Sequence, residues 1–389
     1  MKIGIDATWW SNWRGFGRFT RSLVNAMIAI DSSNEYVLFF DSGYHRCADL
    51  PRHAAHKIVP TARPQEDAIG PDSRRTAADI LKMTLAASRA ALDVFFSPSI
   101  DGYFPVFNVP CRIVAIHDAN IEEMPGLVVP RVRARMLRQI KVRFAVRQAD
   151  LLVTVSSYSR AQISEVLGVP VEKIGIIPGG ADLIFHPAES FAESQAAARS
   201  RYSAGAPYFL YVGGAGPTKN LGALAAAFAE IVASHDSVRL LLAGKPDPKC
   251  ELAAIAARFG ERARFLGFQP DAVLAELYRG AEAVIVPSLK EGVGLPGIEA
   301  VACGTPAIVT MTSPLPELLG DAAIAIDPAR PAEIAAAMKA LLENHDLRQS
   351  KRAAARRLSG AFRWDNSARA ALDLFGRVAA EKSRRLAAR

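Results

Sequence analysis

The chain has 389 residues, half of them hydrophobic, enough for two domains of ordinary size with sizeable cores. Its formal net charge of +8 favours anionic partners such as nucleotides, phosphorylated lipids or acidic membranes, without choosing among them. Four scattered cysteines, Cys47, Cys111, Cys250 and Cys303, lack metal spacing and exclude a disulfide scaffold; no apolar run is long enough for a bilayer and the first residues enter a strand at once, so a cytoplasmic protein is expected.

Strands alternate with helices along the chain, which predicts an α/β architecture with parallel sheets. Residues 3–7 read as the first strand. A loop at 15–18 holds Gly15 and Gly17, and a helix follows over 18–30 with Phe19, Leu23 and Met27 on one face. A lone Gly-x-Gly marks a turn more often than a ligand site. Residues 36–40 form a strand, residues 60–75 a polar loop rich in Pro and Asp, and residues 93–97 and 112–116 two further strands. The last of these ends in His117-Asp118. A polar pair at the carboxyl end of a parallel strand is where open α/β sheets bind ligands. A histidine there is a candidate for positioning hydroxyls, and Asp118 either joins it or holds the loop and the His tautomer.

Residues 131–147 predict a helix with seven basic and no acidic residues. Met136, Leu137, Ile140 and Phe144 mark its apolar side, with Arg131, Arg135, Arg138 and Lys141 gathered roughly opposite. Two readings fit: a solvated face, or a docking face for anionic lipid or a phosphorylated acceptor. Residues 151–160 run from strand into helix, with Ser156 or Ser157 as the cap. Residues 173–177 are the last strand of the first half. An Ala-, Ser- and Arg-rich stretch over 181–207 places the domain boundary: 1–185 for the first domain, 186–364 for the second, and 365–389 for a helix crossing back to the first.

The second half opens with a strand at 208–212. Gly213-Gly214-Ala215-Gly216-Pro217-Thr218-Lys219-Asn220 follows, a glycine-rich turn ending in a cation, with Asn220 capping the next helix. It is not a P-loop, since no Gly-Lys-Ser/Thr is present. Strands at 238–243 and 264–268 come next, the latter ending at Phe268. The densest segment is 287–306, PSLKEGVGLPGIEAVACGTP, set between short apolar runs at 283–286 and 307–309. It reads as strand, glycine loop, short helix, strand. Gly292 and Gly294 let backbone approach a ligand, Pro296 suits the helix start and Gly304 its end. Such a helix start is an anion site. Glu291 before it and Glu299 in its first turn would repel a phosphate but accept bonds from hydroxyls on either side. Hydroxyls, phosphates and hydroxyls in a row describe a nucleotide sugar.

The stretch Glu291-Gly-Val-Gly-Leu-Pro-Gly-Ile-Glu299 resembles the E-x7-E signature of the family 4 glycosyltransferases, among the group 1 glycosyltransferases of bacterial polysaccharide synthesis. The resemblance runs from Gly4 to about Trp364. Val293 stands where the family usually has an aromatic, and Thr218 where it commonly has an arginine. The resemblance implies a GT-B fold, with two Rossmann-like parallel-sheet domains facing a central cleft. Gly15 and Gly17 would face the donor phosphates, His117 and Asp118 the sugar and acceptor. Gly213, Gly214, Thr218 and Lys219 would hold the diphosphate with the Gly292, Val293, Gly294 and Leu295 backbone. Glu291 would hold the donor-sugar hydroxyls, Glu299 the ribose, and Phe268 would lie near the base.

The implied activity is retaining hexosyl transfer, with His117, Lys219 and Glu291 as its catalytic group. The donor is a nucleotide diphosphate sugar, GDP-mannose first and a UDP-hexose next. The acceptor is a glycan or lipid-linked glycan of surface polysaccharide. No Asp-x-Asp occurs, so neither a metal nor another cofactor is expected. Peripheral contact with the inner face of an anionic plasma membrane would run through Arg131, Arg135, Arg138 and Lys141. Nucleic-acid binding is disfavoured because no aromatics interleave the basic residues. The rivals are a GT-B nucleotide-sugar epimerase and a non-catalytic nucleotide-sugar-binding protein. A glycosidase has no use for phosphate loops.

Overall fold

A computed structural model of the chain describes residues 1–12, 15–65, 75–129, 131–246 and 251–387. Residues 66–74 of the expected polar loop, and Cys250, lie outside them. The chain divides into two compact units, residues 1–179 with 364–389, and residues 180–363.

The first unit holds a sheet of β1 (Lys2–Asp6), β2 (Glu35–Phe40), β3 (Ala55–Ile58), β4 (Val94–Ser97), β5 (Cys111–Ala115), β6 (Leu151–Thr154) and β7 (Ile174–Ile176), ordered β3-β2-β1-β4-β5-β6-β7. The second holds β8 (Tyr208–Val212), β9 (Arg239–Ala243), β10 (Ala263–Gly267), β11 (Val284–Val286), β12 (Ala307–Thr310) and β13 (Ala323–Ile326), ordered β10-β9-β8-β11-β12-β13. Every pairing is parallel. Strands covered on both faces read as near-continuous apolar runs, and β4 and β11 are buried at every position. The edge strands β3 and β13 escape sequence reading because they are short and half exposed, with no run long enough to mark them.

In both sheets the order reverses in the middle, between β1 and β4 and between β8 and β11. Right-handed crossovers place the connecting helices on opposite faces either side of that point. The helix Trp364–Ala387 packs on the first unit: Trp364 meets Phe19 at 5.8 Å, Phe375 meets Phe96 at 5.1 Å, and Lys382 pairs with Asp150.

Candidate functional site

The reversal point of the second sheet lies beyond the carboxyl ends of β8 and β11, where open parallel sheets leave a crevice. Two glycine turns leave the sheet there. After β8 the chain passes Gly213, Gly214 and Gly216 and enters the helix Leu221–Ser234 through a tight turn at Pro217–Lys219. Gly213 has little alternative: the Tyr211 hydroxyl donates to Gly214 O at 2.6 Å, and a Cβ on Gly213 would stand 2.7 Å from that hydroxyl. After β11 the chain runs to Gly294, whose φ of +73° precedes the helix Leu295–Ala302. A Cβ on Gly294 would meet Leu315 at 2.5 Å.

The two turns are bound to each other. Leu289 N–H donates to Thr218 O at 2.8 Å. The Asn220 amide donates to Pro287 O at 3.0 Å and Pro328 O at 2.7 Å. Asn220 stands at the helix start but makes no side-chain cap, which corrects the expected capping role. Its left-handed backbone turns the amide toward the neighbouring turn instead. Lys219 Nζ donates to Glu291 Oε1 at 2.5 Å, and Ser288 Oγ donates to the same oxygen at 2.7 Å. Both side chains remain part-exposed, at 33% for Lys219 and 16% for Glu291. Bonds thus join Thr218, Lys219 and Asn220 of the first turn to Leu289, Glu291 and Pro287 of the second; Gly213 and Gly214 lie earlier in the first turn, and Gly292, Val293, Gly294 and Leu295 follow Glu291 in the second. Gly292 is buried, and Val293 packs partly against the apolar core.

At the start of the 295–302 helix, Pro296 has no N–H, and Gly297 N–H turns back to Gly294 O at 2.9 Å. The amides of Gly294 and Leu295 are left at its open end. Glu299 does not stand in the first turn. It is the fifth residue of the helix, 3% exposed, and its Oε2 accepts from the Tyr278 hydroxyl at 2.7 Å. The helix begins at Leu295, one residue before Pro296, so Glu299 falls past its first turn, and its side chain is buried in the protein. Tyr278 comes from the helix Asp271–Gly280, and nothing in its sequence context signals the partnership. Ser288, three residues before Glu291, is the other member that sequence reading missed. At the carboxyl ends of β9 and β10, Lys245 Nζ lies 5.7 Å from the centre of the half-exposed Phe268 ring. Among the described residues no three His, Cys, Asp or Glu side chains gather as metal ligands.

In the first unit, Gly15 and Gly17 are not in a loop. Both lie in the helix Gly15–Ile30. The preceding turn winds tightly, with Trp10 N–H on Ala7 O and Asn12 N–H on Trp9 O, both at 3.0 Å. A Cβ on Gly17 would stand 1.7 Å from Asn12 O, so this glycine serves close helix packing, while Gly15 is exposed. His117 follows β5 and is 7% exposed. Its ring meets the edges of Phe16 at 5.1 Å and Phe19 at 4.6 Å. Nε2 lies 2.8 Å from Pro98 O, and because a carbonyl only accepts, Nε2 carries the proton. Burial holds the imidazole below its ordinary pKa, so His117 is neutral, with Nδ1 as an acceptor. Asp118 accepts from Asn120 N–H at 3.0 Å and so steadies its own loop.

The basic helix spans Val132–Gln148 with its faces reversed from expectation. Arg138 turns inward to Asp101 at 2.5 Å and Glu122 at 2.8 Å, and Lys141 donates to Asp101 O at 3.0 Å. Burial alone would raise the Asp101 pKa, but these two cations hold it below the usual carboxylate range. Met136, Leu137, Ile140 and Phe144 are exposed instead. Arg138 and Lys141 are thus engaged in the protein and do not form a membrane face.

Comparison with known proteins accords with this geometry. Residues 195–358, the segment carrying both turns, match the family of glycosyl transferases group 1. An O-antigen chain mannosyltransferase B from Escherichia coli is 29% identical over 272 residues, covering 67% of this chain and 70% of that protein. Five further relatives are matched over 51 to 61% of their own length. The fold is GT-B. The structure of WaaG, a glycosyltransferase involved in lipopolysaccharide biosynthesis, matches with a TM-score of 0.74 at 15% identity, covering 96% of this chain and 99% of that one. An Anabaena protein, HepE, in complex with UDP and glucose, matches with a TM-score of 0.72 at 17% identity, covering 97% and 99%.

Proposed function

We propose that the chain is a retaining hexosyltransferase of surface polysaccharide synthesis. It takes a nucleotide diphosphate sugar as donor and a glycan or lipid-linked glycan as acceptor. The observation that carries the proposal is the joining of the two glycine turns at the β8–β11 reversal, where Lys219 is bonded to Glu291, three residues ahead of the Gly294 and Leu295 amides. A diphosphate needs such a set of donors. The Lys219 ammonium has three, so it can hold a phosphate oxygen while keeping Glu291. Donors already aimed at a leaving group's developing charge are typically worth ~3–4 kcal/mol each to the transition state.

Glu291, already fixed by Lys219 and Ser288, has lone pairs left for donor-sugar hydroxyls. Glu299, held by Tyr278, keeps the role of ribose acceptor. Charge on the departing diphosphate is neutralised by Lys219 and the amides, without a metal. The acceptor hydroxyl attacks from the face the diphosphate leaves, and a phosphate oxygen takes its proton; no protein nucleophile takes part. GDP-mannose is the first donor to try, given the mannosyltransferase relative, and a UDP-hexose the second, given HepE with UDP and glucose.

The experiment is a thermal-shift screen against UDP, GDP, ADP and TDP, followed by transfer with the preferred donor and determination of the product's anomeric configuration. A rise in melting temperature with one nucleotide and a product of retained configuration are expected. No shift with any of the four defeats the proposal, and product formed without acceptor assigns an epimerase.

A further inference from the structure

One buried side chain, Tyr211, anchors the glycine turn that follows β8. Tyr211 is 2% exposed, and its hydroxyl donates to Gly214 O at 2.6 Å. Burial holds the phenol pKa far above its ordinary value, and the charges of Glu291 and Glu251 raise it further, so the hydroxyl keeps its proton and stays a donor. The part played by Glu291 also puts this hydroxyl within electrostatic reach of the second turn.

A trans peptide is planar, and its C=O and N–H point in opposite directions. No cis peptide bond occurs among the described residues. Gly214 O is drawn to the buried hydroxyl, so the N–H of the same peptide, that of Ala215, points away from it. Among the described residues nothing accepts from this N–H. Two glycines make the anchor possible. A Cβ on Gly213 would stand 2.7 Å from the Tyr211 hydroxyl, and a Cβ on Gly244, just past β9, would stand 1.9 Å from Gly213 O. The turn is thus pressed against the end of β9 on one side and pinned by Tyr211 on another.

We infer that Tyr211 is a positioning residue, which presets the Ala215 N–H as a donor to the diphosphate of a nucleotide sugar. The inference rests on the donor reading proposed above. Glycine leaves the backbone free to rotate, and Gly214 is exposed. Without the anchor the 214–215 peptide can turn over and present its carbonyl oxygen, which repels a phosphate. Fixing the peptide beforehand removes that rearrangement both from binding and from departure of the diphosphate.

The test is calorimetric titration of the full chain and of Tyr211→Phe. The ligands are whichever of UDP, GDP, ADP and TDP the wild type prefers, and the phosphate-free nucleoside of the same base. Tyr211→Phe should weaken the diphosphate about tenfold, the low end for a hydrogen bond to a charged group, and leave the nucleoside unchanged. Gly213→Ala should reproduce that loss, because its Cβ displaces the hydroxyl and Gly213 does not have a positive φ that would bar alanine. The double variant should lose no more than either single one, since both act through one contact. Should Tyr211→Phe fail to fold, Gly213→Ala carries the same comparison. Wild-type diphosphate affinity in the folded variants overturns the inference, as does equal weakening of diphosphate and nucleoside, or losses that add in full. Those results leave the donor reading standing, whereas a wild type that binds none of the four nucleotides defeats that reading and this inference together.

Discussion

The two sheets reverse their strand order in the same way, yet the two reversal points are chemically opposite. Beyond β8 and β11 the chain is glycine, backbone amide and one part-exposed ion pair, Lys219 with Glu291. Beyond β1 and β4 it is aromatic and closed. Trp9 and Trp10 are buried there, Pro98 O holds a neutral His117, and Asp6 at the end of β1 is 1% exposed. Burial, opposed in part by Arg75 and Thr8, lifts the Asp6 carboxyl from 3.8 to about 6. Topology supplies the same crevice twice. Only where small residues leave backbone amides and a cation open can it receive a charged ligand.

The largest effect that tests this contrast is Lys219→Ala. It should lower turnover about 10²–10³-fold, the loss typical of one aimed donor, and weaken nucleoside diphosphate binding. His117→Ala should reduce transfer with nucleoside diphosphate affinity unchanged. Calorimetric titration of both variants decides it, and equal loss of affinity in the two would erase the distinction between the reversal points.

Next in size is Asp6→Asn. The folded pKa lies above the unfolded one, so between about pH 4 and 6 the folded state binds more protons, and stability falls as pH rises through that window. Above it the burial cost is complete, about 3 kcal/mol from the shift in pKa. Asn keeps an oxygen for the Thr8 N–H bond of 3.0 Å and carries no charge. The variant should therefore unfold at higher temperature than wild type at neutral pH, with the gain vanishing near pH 4. A pH-independent difference in melting curves would mean that Asp6 is not a buried charge.

The smallest effect is that of Tyr278→Phe, which removes the hydroxyl bonded to buried Glu299 at 2.7 Å. A bond to a charged acceptor is worth about 1.5–3 kcal/mol, so a lower melting temperature is expected, together with weaker nucleotide binding if Glu299 needs this partner to hold its place. An unchanged melt would show that Glu299 is sufficiently held by its other contacts.

Much of the architecture can be read residue by residue. The apolar runs behind β4, β8 and β11 appear as strands because both faces are covered, and the Phe19, Leu23 and Met27 row is buried as its spacing requires. Ser156 caps its helix, accepting from Ser159 N–H at 3.0 Å. The basic helix could not be oriented this way. Its four-residue apolar row has the period of a core face, but the core took Ala134, Val142 and Ala145 instead. Two acidic partners, Asp101 and Glu122, drew Arg138 inward, and they lie 37 and 16 positions away in the chain.

The sequence by itself determined the alternation of strand and helix, the two glycine turns and the position of the cation between them. These follow from periodicity, backbone freedom and charge, all local properties. Only the tertiary structure decided that Lys219 meets Glu291, that Glu299 is buried beneath Tyr278, and which face of the basic helix looks outward. Each of those depends on a side chain contributed by a distant element, and no local pattern specifies what will be packed opposite.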